Sequence, residues 1–299
     1  MTIDSRDQTE ATRGDALFPP PADDPAEQAN VPETVIRARC GWGVFDLLEL
    51  WGYRELLFFL AWRDIKVRYQ QTVLGLAWAA LQPALMTVVF TLSVGRLARG
   101  DSDGSPYALF VNAGLLPWTF FAAVLSHAGG SVVDNERLIT KVYFPRLLVP
   151  FAAAGPALID FLVATTILGA LMVGYSVPPG WGLLWLPAVM LLTALAALGV
   201  GAFLAALNVA YRDVRYVIPF LVQVWMFATP TIYLPPPHSL ALPFRLNPMT
   251  GLVAFFRAAA LGDDLPWGQF GYSAAAAVVV FAAGCYWFRR AEDSFADVI

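Results

Sequence analysis

The chain has 299 residues and a formal net charge of −4 at pH 7; 58% of its residues are hydrophobic and only 14% are charged. Soluble domains average about 45–50% apolar and about 25% charged residues, so this composition excludes an ordinary soluble domain and indicates that lipid surrounds most of the chain. The two cysteines, Cys40 and Cys285, form no metal or redox pattern, and we expect two reduced structural thiols.

The N-terminal segment differs from the rest of the chain. Acidic residues and a PPP run at 19–21 dominate its first 30 residues, and it contains no apolar stretch that would serve as a cleavable signal peptide. Such a segment cannot bury enough apolar area to offset the entropy lost on ordering. We therefore expect residues 1–46 to form an acidic, disordered cytoplasmic tail; a solvated tail is favoured over a bait for a basic partner.

An aromatic and then charged stretch follows, WGYRELLFFLAWRDIKVRYQQTVLG, residues 51–75. Its first half is typical of a helix in the lipid headgroup layer, whereas Arg63, Asp64, Lys66 and Arg68 point in several directions on a helical wheel. We predict an interfacial amphipathic helix over residues 47–71 that dives from the headgroups into contact with protein. Snorkelling of Lys and Arg would explain the basic residues alone, but not the polar QQT that precedes Gly75.

A membrane-spanning helix needs about 20 mostly apolar residues, and six stretches of the sequence are candidates. The fifth is the shortest and contains Pro219 and Pro230. Before the last span, residues 246–262 are apolar but too short to cross and contain Arg257, so we predict a re-entrant or interfacial helix pair there. The predicted spans, which make residues 72–299 a six-span domain, are 72–97, 109–131, 147–175, 183–210, 218–234 and 271–288.

The distribution of basic residues orients these spans. Cytoplasmic loops carry an excess of Lys and Arg, and with both ends inside, the inside segments from residue 54 onward hold eleven basic residues against four outside. Both termini are therefore predicted to be cytoplasmic, which requires an even number of spans. The inside set is Arg54, Arg63, Lys66, Arg68, Arg137, Lys141, Arg146, Arg212, Arg215, Arg289 and Arg290, and the outside set is Arg96, Arg99, Arg245 and Arg257.

Several polar and small residues lie within the predicted spans. A bare charge at Asp160 would cost about 2.5–3.5 kcal/mol on insertion scales, so this residue must face the protein interior or stay protonated. We expect His127 to hydrogen-bond between helices rather than ligate a metal, and Asn112 to bond across helices. A stripe of small residues predicts close helix packing; it comprises Thr193, Ala197, Gly201 and Ala205.

Two short charged inside loops, NERLITKVYFPRLLVP (135–150) and NVAYRDVRYVIP (208–219), suit docking onto a soluble partner. Together with RYQQTVLGLAWAALQP, LNPM and the terminal FADVI, they resemble the transmembrane subunit of ABC-2 type polysaccharide exporters, which move O-antigen, teichoic acid or capsule-type glycans. The resemblance covers about residues 47–299, and the acidic tail is longer than the family's core requires. The candidate docking residues are Glu136, Arg137, Lys141, Arg146, Arg212, Asp213 and Arg215.

The resemblance implies an all-α ABC-2 exporter fold in the bacterial inner membrane, assembled as a homodimer with two copies of an ABC-type ATPase subunit. The chain itself contains no G-x-x-x-x-G-K-[ST] phosphate loop, because its only lysines, Lys66 and Lys141, follow no such glycines. ATP and Mg²⁺ would therefore be bound by the partner, and we expect no catalytic residue, cofactor or metal of the chain's own and no nucleic-acid partner.

The resemblance also implies where an undecaprenyl-pyrophosphate-linked glycan enters. The interfacial helix and the turn after it flank that entry, with Arg63, Lys66, Arg68, Tyr69 and Gly75 as candidates. Arginine forks match phosphate oxygens, and a glycine permits close backbone approach; plain anchoring of the helix is the alternative. Aromatic faces stack on sugar rings, so candidates for the glycan pathway are Trp78, Phe110, Trp118, Phe120, Phe121, Trp225, Phe227 and Tyr233, with packing or a lipid belt as their alternative role.

Two other functions are alternatives to polysaccharide export. A membrane-embedded glycosyltransferase or acyltransferase would need carboxylates that hold a cation, or a histidine base, and neither Asp263–Asp264 nor Asp101 with Asp103 has convergent partners. An ABC-2 permease for drugs or small lipids would share the fold and differ in cargo. The sequence favours export of a lipid-linked polysaccharide such as O-antigen.

Overall fold

The computed structural model describes residues 47–70, 75–93, 106–178, 180–233 and 247–298. These ranges contain helices and turns and no strand. The all-α prediction is confirmed. The predicted tail, residues 1–46, lies outside the described residues, as do Arg96, Arg99 and Arg245. The helices are α1 (Leu47–Gly52), α2 (Arg54–Tyr69), α3 (Ala77–Ser93), α4 (Tyr107–Asp134), α5 (Glu136–Lys141), α6 (Leu148–Ala152), α7 (Ala154–Gly174), α8 (Leu186–Ala210), α9 (Val214–Ala228), α10 (Pro248–Leu261) and α11 (Trp267–Val298).

Four helical stretches of the described chain are long and apolar enough to cross a membrane. They lie over the second, third, fourth and sixth predicted spans, and they are Tyr107–Asp134, Leu148–Gly174, Trp181–Ala210 and Trp267–Glu292. The stretch Leu148–Gly174 combines α6 and α7, and the stretch Trp181–Ala210 begins with a 3₁₀ turn, Trp181–Trp185, ahead of α8.

The helices at the other two predicted spans are shorter. Helix α3 has 17 residues and α9 has 15, or about 26 and 22 Å, against a hydrocarbon core of about 30 Å. Residues 71–74 and 94–97, at the ends of the first predicted span, lie outside the described residues. The prediction of a span over 218–234 is wrong in its boundaries: α9 begins four residues earlier and ends at Ala228, because Pro230 pushes Thr229 into an extended conformation.

Residues 248–261 form a single helix, α10, where the sequence predicted a helix pair. The Asn247 side chain accepts a hydrogen bond from the Met249 N–H at the first turn, and Gly262 ends the helix in the left-handed region with φ 81°. Nearly all of its side chains are buried, and it packs against α4, α8 and α11. It is too short to cross a membrane, as predicted.

The centre of the bundle is held by close backbone contact. A Cβ atom on Gly284 of α11 would lie 1.9 Å from the carbonyl oxygen of Gly199 on α8, so only glycine fits at this crossing. Gly201, on another face of α8, similarly approaches Ala128 of α4. The predicted stripe of small residues is confirmed as a packing surface, since all four of its members are buried.

One end of the bundle collects the basic residues. Helices α2, α5 and α6 share an apolar cluster there with the C-terminal ends of α8 and α11. The eleven basic residues assigned to the inside belong to segments that meet at this end, which we call the basic end. At the opposite end, Trp185 packs against Trp267, and the Tyr107 hydroxyl donates to the Ile232 carbonyl.

Replacing Gly284 with alanine is expected to destabilise the bundle by about 1–3 kcal/mol or more, because the added methyl overlaps the Gly199 carbonyl. The thermal unfolding temperature of the purified chain, with its monodisperse yield, measures the effect. Gly169→Ala on α7 is the matched control, since nothing lies within 4 Å of its added Cβ. Equal unfolding temperatures for the two variants would contradict the close crossing.

Candidate functional site

A cleft of about 710 Å³ runs along one side of the bundle between α3, α4, α7 and α9. Its walls are mostly apolar and aromatic, with a few polar side chains among them. Arg68, Tyr69 and Gly75 line it at the basic end. We call it the lateral cleft; its walls also include Trp78, Gln82, Met86, Phe90, Leu115, Trp118, Thr119, Phe120, Ser126, Asp160, Phe161, Val222 and Met226.

Four polar side chains meet at the basic end of the lateral cleft, and we call them the polar cluster: Arg68, Tyr69, His127 and Asp160. Arg68 Nη2 lies 2.6 Å from Asp160 Oδ2, and the Tyr69 hydroxyl donates to Asp160 Oδ1. Arg68 Nη1 lies 3.1 Å from His127 Nε2. Because arginine can only donate, His127 Nε2 is the acceptor, and the ring is neutral with its proton on Nδ1. The expected placements of His127 and Asp160 are confirmed.

The last turn of α2 creates this cluster. Gln70 adopts an extended conformation, so the helix ends at Tyr69. In this last turn, Arg68 and Tyr69 present their side chains to α4 and α7. Asp160 is only 18% exposed, and its two donors offset the cost of a carboxylate at this depth. Burial and the hydrogen bond to Asp160 raise the pKa of Tyr69, so its hydroxyl stays protonated at physiological pH.

The other predicted entry residues lie elsewhere. Arg63 binds Asp64, with its Nη2 2.7 Å from Oδ1, and donates to Asn135 Oδ1 at 2.6 Å. Lys66 lies 5.7 Å above the Trp62 ring. Gly75 does line the cleft, and its φ of 47° places it in the left-handed region that favours glycine. The structure thus brings Arg68, Tyr69 and Gly75 together at the cleft and leaves Arg63 and Lys66 off its walls.

Three of the eight predicted pathway aromatics line the cleft: Trp78, which is 57% exposed, and the buried Trp118 and Phe120. The other five do not. Phe121 packs in the core against Trp225, with ring centroids 5.0 Å apart. Phe110 lies beneath a buried guanidinium, Phe227 is exposed, and the Tyr233 hydroxyl donates to the Phe227 carbonyl.

Most of the predicted docking residues are exposed at the basic end. Two tyrosines beside them, Tyr143 and Tyr216, are each 79% exposed, which is unusual for residues with so much apolar surface. Arg146 differs from the rest, because its backbone N–H donates to Glu292 Oε1 and its Nη1 donates to the Glu292 carbonyl, tying the turn before α6 to α11. The exposed members are Glu136, Arg137, Lys141, Arg212, Asp213 and Arg215.

Sequence reasoning missed the role of Arg257, which it counted as an outside charge. Its side chain is buried, at 6% exposure; Nη2 donates to the carbonyls of Pro230 and Thr231, and its guanidinium carbon lies 3.7 Å from the centroid of the Phe110 ring. Gly114 makes room, since a Cβ there would lie 2.1 Å from the Thr231 oxygen. The sequence feature that could have indicated this burial is an arginine inside a 14-residue apolar helix.

Asn247 is the second residue of the LNPM motif, and sequence reasoning assigned it no role. Its Oδ1 accepts from the Met249 N–H and from Trp225 Nε1, each at 3.0 Å, and its Nδ2 donates to Thr229 Oγ1 at 2.9 Å. One side chain therefore caps α10 and ties it to the end of α9. Asparagine before proline is a recognisable helix start, but the contacts to α9 depend on tertiary packing.

Residues 55–261 match the family model described as ABC-2 type transporter. The chain belongs to this family. It is 31% identical over 257 residues to the O-antigen export system permease protein RfbA of Myxococcus xanthus, covering 84% of this chain and 98% of the relative. A protein of the same name from Klebsiella pneumoniae is 21% identical over 248 residues, covering 82% and 95%. The polysialic acid transport protein KpsM of Escherichia coli is 22% identical over 249 residues, covering 80% and 93%.

These comparisons confirm the family resemblance. The matched region of the ABC-2 type transporter family contains the lateral cleft and the polar cluster. Together with the apolar helices, membership of this family makes the chain a multi-pass membrane protein.

Arg68→Met is expected to lower the free energy of unfolding by about 1–3 kcal/mol, because Asp160 loses its charged donor. Adding Asp160→Asn to that variant should recover part of the loss, since the uncompensated carboxylate is then gone. Thermal unfolding of the purified chain checks both. Lys66→Met on the same helix is the control and should shift unfolding little. An Arg68→Met variant no less stable than this control would argue against the ion pair.

Proposed function

We propose that this chain is the membrane subunit of an ATP-driven exporter that moves a lipid-linked polysaccharide, such as O-antigen, from the cytoplasm across the bacterial inner membrane. The observation that carries the proposal is the similarity to an O-antigen export permease along 98% of that relative's length. The similarity to KpsM supports it further, since the name of that protein also specifies a polysaccharide. These names favour a glycan cargo over drugs or small lipids.

The proposed topology has six crossings, with α3 and α9 serving as the first and fifth, and both termini in the cytoplasm. The concentration of basic residues at one end of the bundle supports this orientation. The proposed assembly is a homodimer. Outward-facing apolar side chains on α3 and α9 support it, since a second copy packed there would cover Val89, Leu92, Phe220 and Val224.

The lateral cleft is the proposed half of the glycan pathway in each subunit. Trp78, Trp118 and Phe120 offer ring faces to sugars, while Gln82 and Thr119 on the same walls supply groups that hydrogen-bond hydroxyls. The lipid pyrophosphate is proposed to bind at the basic end. Arg68 is the best-placed cation there because it lies on the cleft wall, whereas Arg63 and Lys66 do not.

The energy is proposed to come from two copies of a separate ABC-type ATPase that bind ATP and Mg²⁺. The absence of a phosphate loop from the sequence supports this division of labour. The docking surface for the ATPase is proposed to comprise residues 136–143 and 211–216, where exposed cationic side chains lie close in sequence to the exposed Tyr143 and Tyr216. Aromatic and cationic residues of this kind are typical of interface hot spots.

Reconstitution with the cognate ATPase tests the proposal. In proteoliposomes, undecaprenyl-pyrophosphate-linked glycan should stimulate ATP hydrolysis by the complex, whereas phospholipid or a panel of amphipathic drugs should not. The permease alone should turn over no ATP, because it has no phosphate loop. Equal stimulation by phospholipid or drug, with none by glycan, would replace the proposal with a permease for those cargoes.

The docking surface makes its own prediction. Reversing Arg137 and Lys141 to glutamate should lower glycan-stimulated ATP hydrolysis at least about tenfold, because like charges would then oppose the partner. The folded permease should be recovered in normal yield, since both side chains are exposed. Arg54→Glu, at the same end but on α2, is the control and should retain stimulation. Wild-type stimulation in the double variant would move the docking surface elsewhere.

A further inference from the structure

The polar cluster contains an ion pair that differs from the other arginine–aspartate pair described at the basic end. Arg63 and Asp64 are sequence neighbours, and Arg63 is also held by Asn135 away from the cleft. Arg68 and Asp160 instead join α2 to α7, and both line the lateral cleft. A charged pair on the wall of a largely apolar cleft is therefore exposed to whatever enters it.

The cluster holds a carboxylate in the way a protein holds a phosphate. Arg68 Nη2 approaches one oxygen of Asp160 at 2.6 Å, while the Tyr69 hydroxyl donates to the other. Phosphate oxygens accept hydrogen bonds from the same donors, and arginine is the cation best suited to them. His127 accepts from Nη1, which fixes the guanidinium and leaves Nη2 directed at the anion.

We propose that Asp160 is an internal competitor for the anion site at Arg68: it fills the site in the unloaded subunit and is replaced there by the phosphate of a lipid headgroup. This inference rests on the proposed function, since it takes a phosphate-bearing lipid as the entering ligand. A glycan carrier and an anionic phospholipid share this chemistry, and the experiment separates them.

The exchange leaves few groups without partners. When a phosphate takes Nη2, His127 still accepts from Nη1, and Tyr69 still donates to Asp160, so the displaced carboxylate keeps one hydrogen bond. The carboxylate then stays within reach of Arg68 and competes for it again, which weakens retention of the headgroup. A transported ligand needs such a site, because a headgroup bound too tightly would not move on.

The test is a titration of undecaprenyl pyrophosphate into the full-length permease with its ATPase in nanodiscs. Asp160→Asn should tighten binding about tenfold, because the competing charge is lost, and Arg68→Ala should weaken it about tenfold. In the Arg68→Ala background, Asp160→Asn should have no further effect, since the competition acts through Arg68. Asp160→Ser provides a second neutral variant in case the asparagine variant does not fold.

Three results would overturn the proposal. One is unchanged affinity in both neutral variants. Another is tightening that persists without Arg68, which would indicate simple repulsion. A third is equal tightening in Asp134→Asn, the control at the C-terminal end of α4, which would indicate a general charge effect. If Arg68→Ala weakens binding while the neutral variants do not tighten it, only the competitor role fails; if Arg68→Ala has no effect either, the proposed entry site fails with it.

Phosphatidylglycerol and inorganic pyrophosphate complete the experiment. We expect phosphatidylglycerol to bind more weakly than the undecaprenyl carrier, because it carries one phosphate where the carrier has two. A tightening by Asp160→Asn seen with the carrier and with inorganic pyrophosphate supports replacement of Asp160 by the pyrophosphate. A tightening confined to phosphatidylglycerol would assign the site to a phospholipid and overturn the part of Asp160 in carrier loading, without affecting the export assay.

Discussion

Backbone contact between α8 and α11 at Gly199 and Gly284 is the interaction on which the bundle depends. In lipid, apolar side chains gain little by leaving their surroundings, so helices associate through close van der Waals packing made possible by small residues. The same helix α8 approaches α4 through Gly201 and Ala128. Because α4 carries Trp118, Phe120 and His127, the placement of one whole wall of the lateral cleft follows from these glycine contacts.

Polar contacts contribute to the attachment of the peripheral helices α2 and α3. Asn112 of α4 donates to Thr87 of α3, and the Arg68–Asp160 pair joins α2 to α7. A hydrogen bond contributes about 1 kcal/mol, far less than a packed helix face. Apolar packing attaches these helices as well, since α2 shares an apolar cluster with α6, and Phe90 of α3 packs against Phe110 and Leu115 of α4. The walls of the cleft on α2 and α3 therefore depend on both kinds of contact.

The features that could be predicted from the sequence are local ones. Hydropathy located the four long spans, spacing located the small-residue face of α8, and the rarity of polar groups within spans anticipated the bonds of Asn112 and His127. Pro230 indicates a helix break at Thr229, but the prediction of the fifth span gave more weight to the length that a spanning helix needs. Tyr69 meets Asp160 across 91 residues of sequence, and no local pattern specifies that α2 ends against α7.

The same limit explains the error at Arg257. A count of charges by loop treats each arginine as solvated, whereas this one is buried against Phe110 and donates to the carbonyls of Pro230 and Thr231, just after the end of α9. Likewise, only three of the predicted aromatics line the cleft, because helical spacing does not distinguish a side chain that faces a passage from one that faces the core. Both distinctions arise from tertiary packing.

The burial of Arg257 also bears on the order in which the protein is made. Translation proceeds from the N-terminus, so Phe110, Pro230 and Thr231 have all been synthesised before Arg257 emerges. A short helix carrying a cation is a poor substrate for insertion into lipid by itself, and here its partners are already present to receive it. Helix α10 can therefore dock onto α4 and α8, which are already made, whereas its packing against α11 forms only after that last helix has followed.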